Sequence, residues 1–285
     1  MNVSAYPRPQ LRRQPYVNLD GPWEYVLPDG ETGTILVPYV YQCKASGIGK
    51  MLPDDRITYQ RTFQVPKEWR AHQVRLHFGA VDYFARVFVN GQLAASHEGG
   101  QTPFSCDIQG LLNPGEDQLL RVEVWDRRED QRLPRGKQSW QGEGEWIFYR
   151  PSTGIWQTVW MECVPENGVH ALRLTPDVDA GVITMDLEME DACQFPCQAN
   201  FHISLQGQAV AEASLTLTEQ RSRLSLDVFH GKVENGTHFT NGLCWSPETP
   251  TLFDLTVEIC SGGNRCEWSS DSENVSADYP GGFRL

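Results

Sequence analysis

Long apolar runs are missing from this sequence. The longest are strand-sized, far below the ~20 residues that a bilayer-crossing helix needs, so no transmembrane segment is expected. Positive charge is also scarce. Lys and Arg number 24 against 37 Asp and Glu, a formal net charge of -13. That balance opposes nonspecific attraction to nucleic acid and to anionic membranes, and neither is expected as a partner. A neutral ligand such as a sugar is compatible with it. No apolar core follows Met1. Residues 1–14 are polar and contain proline, so a secretory signal is not expected and a cytoplasmic location is.

Metal and nucleophile motifs are equally thin. Eight cysteines are scattered along the chain. Cys193 and Cys197, and Cys260 and Cys266, form close pairs, but neither pair has the two-residue spacing or the neighbouring histidines of a zinc site. Reduced thiols in a chain large enough to need no staples are the expected state. No metal and no cofactor are expected. There is no Gly-x-Ser-x-Gly elbow, and no phosphate-cradling glycine loop precedes a helix. Ser96, His77 and His97 form no recognisable nucleophile set, and His77 reads as an outward strand residue. The sequons at Asn235 and Asn274 carry little meaning without secretion.

What the chain has in abundance is punctuation and period-two alternation. Gly 25 and Pro 18 favour many short strands. Val74, Leu76 and Phe78 alternate with Arg75 and His77. Ala85, Val87 and Val89 alternate with Arg86 and Phe88, and Asn90-Gly91 then supplies a hairpin turn whose two positions want positive φ. Leu120, Val122 and Val124 alternate with Arg121 and Glu123. These are antiparallel strands with one face on a core and one outward. A cluster of turn residues, Val164-Pro165-Glu166-Asn167-Gly168, marks a boundary. Alternation resumes at Ile183–Met189, Ala199–Leu205, Leu215 and Leu217, Leu224 and Leu226, and Phe253–Ile259. About seven short strands here fit an immunoglobulin-like sandwich. From Ser261 the composition turns to Ser, Gly, Asn and Asp, which predicts a loosely held tail.

Several segments occur in a telling order. Asn18-Leu19-Asp20-Gly21-Pro22-Trp23-Glu24-Tyr25 opens the series. Ile35–Pro38 with Ser46–Ile48, Tyr59–Pro66, His77–Tyr83, Val87–Gly91, His97–Ile108 and Thr153–Glu162 follow, and Trp245-Ser246-Pro247-Glu248-Thr249-Pro250-Thr251-Leu252-Phe253-Asp254-Leu255 closes it. Together they resemble the front of glycoside hydrolase family 2, which includes β-galactosidases and β-glucuronidases. The resemblance implies an all-β chain: a jelly-roll, galactose-binding-like sandwich over residues 1–166, then an immunoglobulin-like sandwich over 167–262. Residues 263–285 would be a linker toward a catalytic (β/α)₈ barrel. Gly282-Phe283-Arg284 fits the lead-in to that barrel, and Pro280 departs from it.

In that family both catalytic glutamates lie on barrel strands, so no residue here takes a catalytic role. Glu143 and Glu145 sit in a glycine-rich loop and are a poor match to the paired acids of a retaining glycosidase. The resemblance therefore implies a non-catalytic, inactive portion of a β-glycosidase. The alternatives are a stand-alone carbohydrate-binding module and a structural module without sugar affinity. The expected partners are carbohydrate and the barrel, and a homo-oligomer is compatible with the sequence.

The best functional candidate is the connection from Arg127 to Ser152, long enough to call for a reason. Arg135, Lys137, Gln138, Trp140 and Tyr149 in it combine flat rings with hydrogen-bonding groups. Such a mixture suits either sugar contact or an interface with the barrel. Trp23, Trp125, Trp156 and Trp160 read instead as strand residues of the core.

Overall fold

A computed structural model describes residues 6–8, 16–52, 55–228 and 244–260, and the backbone of 281–284. The chain divides at Val164/Pro165 into two compact units, and the described residues 6–8 group with the second. Both are all-β, a jelly-roll sandwich and an immunoglobulin-like sandwich. Among the described residues no helix is long and apolar enough to cross a membrane.

The first unit contains β1 (Tyr16–Asn18), β2 (Gly21–Val26), β3 (Thr32–Val37), β4 (Arg56–Gln64), β5 (Gln73–Phe78) and β6 (Val81–Asp82). It continues with β7 (Phe84–Val89), β8 (Gln92–Glu98), β9 (Phe104–Asp107), β10 (Asp117–Trp125), β11 (Gly154–Ile155) and β12 (Val159–Val164). One sheet has the order β1-β12-β5-β9, a larger one β3-β2-β4-β10-β7-β8, and β11 pairs with β6. The strand pairings described in this unit are antiparallel. The alternating apolar sets meet between the two larger sheets. Ile57 and Tyr59 of β4, Val87 and Val89 of β7, and Leu120, Val122 and Val124 of β10 are all buried, as are Leu76 and Phe78 of β5. Each such aliphatic or phenyl side chain contributes roughly 1.5–3 kcal/mol relative to exposure. Trp23 is buried too, and its Nε1 donates to Leu19 O at 2.8 Å. At the β7–β8 turn Asn90 and Gly91 adopt φ of 51° and 82°, as the Asn-Gly pair predicts.

One expectation fails here. His77 is not an outward residue, because β5 and β12 are buried on both faces. The register puts Trp160 opposite His77 and Glu162 opposite Arg75, with Asp107 on the far side of Arg75. The polar groups satisfy one another within these rows. His77 Nε2 lies 3.0 Å from Glu162 Oε1, its ring stacks on Trp160 with centroids 4.8 Å apart, and Arg75 Nε donates to Asp107 Oδ1 at 2.7 Å. Alternation in sequence shows which residues share a face. It does not show whether the polar face is open to water.

The second unit comprises β13 (Val169–Asp177), β14 (Val182–Met189), β15 (Cys197–Leu205), β16 (Gln208–Leu217), β17 (Arg221–Asp227), β18 (Asp254–Cys260) and β19 (Gly281–Arg284). Its sheets run β13-β14-β17 and β16-β15-β18-β19. Ile183, Met185, Leu187 and Met189 face Ala199, Phe201, Ile203, Leu255 and Val257 across a shared core. The tail is tied down where it is described. Gly281–Arg284 adds a strand beside β18, with Arg284 opposite Asp254. The rest of the predicted tail, residues 261–280, lies outside the described residues, as do both sequons.

The thiol expectation is corrected at one position. Six described cysteines are thiols, but Cys260 is disulfide-bonded. Cys193 and Cys197 remain thiols with their sulfurs 3.8 Å apart inside the core, and burial pushes the Cys193 thiol up to about 12.

Candidate functional site

The connection from Arg127 to Ser152 leaves the end of β10 and returns at β11. It is folded on itself. Asp130 N bonds to Arg127 O at 2.8 Å and Leu133 N to Asp130 O at 3.1 Å, so the outgoing arm is a series of turns. Ser139 N donates to Tyr149 O at 2.8 Å, and Tyr149 N donates to Lys137 O at 3.0 Å. These bonds bring the two arms together, and the Gln138–Tyr149 bridge marks the crossing. Beyond it Phe148 N closes on Glu145 O at 2.9 Å, and Arg150 Nη2 pairs with Glu143 Oε2 at 2.7 Å. Glu143 and Glu145 are both exposed.

The five candidate residues divide into two kinds. Gln138 is buried and both ends of its amide are used. Nε2 donates to Asp82 Oδ2 at 3.0 Å, and Oε1 accepts from Ser152 N at 2.6 Å. Its side chain therefore fastens the loop's base. Trp140 and Tyr149 face outward at 45% and 57% exposure. Arg135 lies over the Trp140 ring at 5.2 Å and donates to Arg128 O at 2.5 Å, while Phe148 meets Trp140 edge-on at 5.4 Å. Lys137 is exposed, and its ammonium has no partner among the described residues. The most exposed ring and aliphatic chain of the loop are not among the five candidates. Trp146 is 96% exposed and Ile147 67%. The signal that could have found them is Gly142-Glu143-Gly144-Glu145 just before, a run that cannot bury its neighbours.

Beneath the loop lies a set of carboxylates, Asp82 and Asp55 buried and Asp126 half-buried. Asp82 accepts from Gln138 and from Ser152 Oγ at 3.1 Å, and burial holds its carboxyl above the usual range. Asp126 accepts from Thr153 Oγ1 at 3.0 Å. Burial, followed by the charge of Asp82, pushes Asp126 up to about 6. Asp55 is raised by burial, against the pull of Arg128, whose Nε is 3.3 Å from Asp55 Oδ2. The recess between loop and floor holds only about 10 Å³, room for a single water at most. A wider cleft of about 330 Å³ opens beside it over Asp55, Asp126 and Arg128. Among the described residues no cluster of three or more His, Cys, Asp or Glu is arranged to hold a metal ion.

Two of the four tryptophans expected in the core are only partly there. Trp23 and Trp160 are buried. Trp125 and Trp156 are half-buried, and Trp156 lies outside any strand, with Nε1 donating to Gly100 O at 2.7 Å. Trp125 ends β10 on its outward side, where its ring stacks on Phe84 and meets the Arg86 guanidinium.

Fold and loop together define a class: two β-sandwiches, a jelly roll with one long folded loop and an immunoglobulin-like unit. Residues 37–144 match the family described as glycosyl hydrolases family 2, sugar binding domain. Similarity to β-galactosidases and β-glucuronidases extends beyond those residues. Among relatives, it is 23% identical to a β-galactosidase of Thermoanaerobacter pseudethanolicus over 70% of this chain and 25% of that protein. It is 26% identical to a β-glucuronidase of Paenibacillus borealis over 71% of this chain and 33% of that one. The crystal structure of a putative β-galactosidase from Bacteroides fragilis superposes with a TM-score of 0.66 at 20% identity, covering 88% of this chain and 39% of that one. The chain thus spans a quarter to a third of the length of these curated relatives.

Proposed function

We propose that these 285 residues are the non-catalytic front of a family 2 β-glycosidase acting on terminal β-galactosides or β-glucuronides, without hydrolytic activity of their own. In this reading the Arg127–Ser152 loop docks on the catalytic barrel and reaches the rim of its active site. Arg135, Lys137, Trp140 and Tyr149 make the contacts, and Gln138 positions the loop. The observation that carries it is the loop tip. Trp146, Ile147, Tyr149 and Trp140 are held outward at 96, 67, 57 and 45% exposure by a base that is itself buried and bonded. A cluster of large apolar side chains on a rigid support marks an interaction surface.

The purified chain, incubated with p-nitrophenyl β-galactoside and β-glucuronide, is expected to release no nitrophenol above a heat-treated control. Release would overturn the non-catalytic reading. Calorimetry with galactose and glucuronate addresses the loop. Saturable binding that disappears in Trp140→Ala or Tyr149→Ala would replace docking by direct sugar contact.

A further inference from the structure

The outward face of the six-stranded sheet carries a second feature that the loop does not explain. Cross-strand register sets its side chains in rows. Trp125 lies between Arg56 of β4 and Phe84 of β7, and one step along Glu123 lies between Thr58 and Arg86. Directly paired residues share a face and sit close enough to interact. A cleft of about 490 Å³ opens over these two rows, lined by Arg56, Thr58, Arg86, Glu123, Trp125 and Arg127 among others. That volume falls in the range of small-molecule sites, roughly 300–1,000 Å³.

Its charge runs against that of the chain. The protein is at -13, yet this cleft gathers three arginines and one carboxylate. The carboxylate is already answered from outside, because Arg121 Nη1 lies 2.8 Å from Glu123 Oε1. Arg56, Arg86 and Arg127 are all exposed; Arg127 feels the charge of Asp130, while Arg56 and Arg86 form no ion pair among the described residues. Arg86 and Arg127 lie over rings instead. Arg86 lies 5.3 Å from the Trp125 centroid and Arg127 5.9 Å from that of Phe84. Trp125 is half-buried and held by Phe84, stacked at 5.2 Å and 10°.

A guanidinium fork matches a carboxylate through two parallel hydrogen bonds. A fixed indole offers a flat apolar surface to the C–H side of a sugar ring. A threonine hydroxyl can give or take a hydrogen bond. One ligand class uses all three. A polyphosphate would use the charges but has no C–H face for the indole. We propose that this cleft binds a uronate-bearing oligosaccharide, with Arg56, Arg86 and Arg127 on its carboxylates and Trp125 beneath a sugar ring. The site makes no use of the loop tip at Trp146.

The test is calorimetry on the whole chain with trigalacturonate, neutral maltotriose and tripolyphosphate as probes. Saturable binding of trigalacturonate is expected, with none for maltotriose and at least about tenfold weaker binding of tripolyphosphate. Arg56→Gln and Arg86→Gln alter exposed side chains, so the fold is kept and is checked by circular dichroism. Each is expected to weaken trigalacturonate binding about tenfold or more. Trp146→Ser is expected to leave it unchanged, which separates this site from the docking loop. No saturable binding of trigalacturonate would overturn the proposal. So would wild-type affinity in both arginine variants, or tripolyphosphate binding as tightly as the uronate. Loss of binding in Trp146→Ser would also overturn it, by moving the site to the loop.

Discussion

The carboxylate of Asp82 and the side-chain amide of Gln138 meet at 3.0 Å although 56 residues separate them in sequence. The amide's other end accepts from Ser152 N, so one side chain ties the loop's outgoing arm to its return and to the strand below. Gln138→Ala removes both bonds and leaves a buried carboxylate and a backbone N–H short of a partner. The expected cost is about 1–3 kcal/mol. The sharper readout is local. Trypsin should cut faster at Arg132, Arg135 or Lys137 in the variant, and an unchanged cleavage rate would show that the loop is held elsewhere.

Asp126 should make stability depend on pH in an unusual direction. Its folded-state carboxyl titrates at about 6 instead of 3.8, chiefly through burial and then through Asp82. The folded protein therefore binds this proton more tightly than the unfolded chain does. The contribution is most favourable below ~4, is lost as pH rises from ~4 to ~6, and stays lost above that. Asp126→Asn keeps an acceptor for Thr153 Oγ1 and removes the charge. It is expected to unfold at higher urea than the wild type at pH 7.5, by up to about 3 kcal/mol, and to show no advantage at pH 4. Parallel curves at both pH values would contradict the assignment.

Gly154 and Gly91 form a matched pair for testing close approach. Both have positive φ, +106° and +82°. At Gly91 a Cβ would meet nothing within 4 Å, whereas at Gly154 it would run into the Tyr59 hydroxyl. That hydroxyl also accepts from Ile155 N at 3.3 Å, so it cannot swing away freely. Gly91→Ala should cost only backbone strain, about 1 kcal/mol, and Gly154→Ala at least ~2 kcal/mol more. Equal shifts in the urea midpoint would remove the steric argument.

Trp146 and Ile147 should matter little to folding. Each is largely in solvent, so Trp146→Ser and Ile147→Ser are expected to change stability by no more than about 0.5 kcal/mol. Binding of an apolar fluorescent dye should nevertheless fall clearly in the double variant. A large loss of stability instead would mean that the rings support the loop they stand on.

Most strands of both sandwiches are legible in the sequence, because their apolar residues alternate and turn residues bound them. Leu120, Val122 and Val124 show it in the first unit, and Ile183 through Met189 in the second. Residues whose partners are remote in sequence were not legible. His77 and Glu162 look like solvated polar positions until the register of β5 and β12 puts the two side chains on adjoining rows of one face. The Asp82–Gln138–Ser152 clasp and the outward row through Trp125 depend on which strands become neighbours, and no local period encodes that. The disulfide at Cys260 escaped for a related reason, since abundant core in a chain of this size argues against a bridge without forbidding one.

The crossing of the loop's two arms at Gln138 and Tyr149 bears on the timing of any encounter. A protruding segment already shaped before contact has little conformational freedom left to surrender. Whatever lands on Trp146 finds a finished relief and needs no search for a binding-competent form. Changes at that ring should then register as shorter lifetimes of the bound state, with arrival rates nearly untouched.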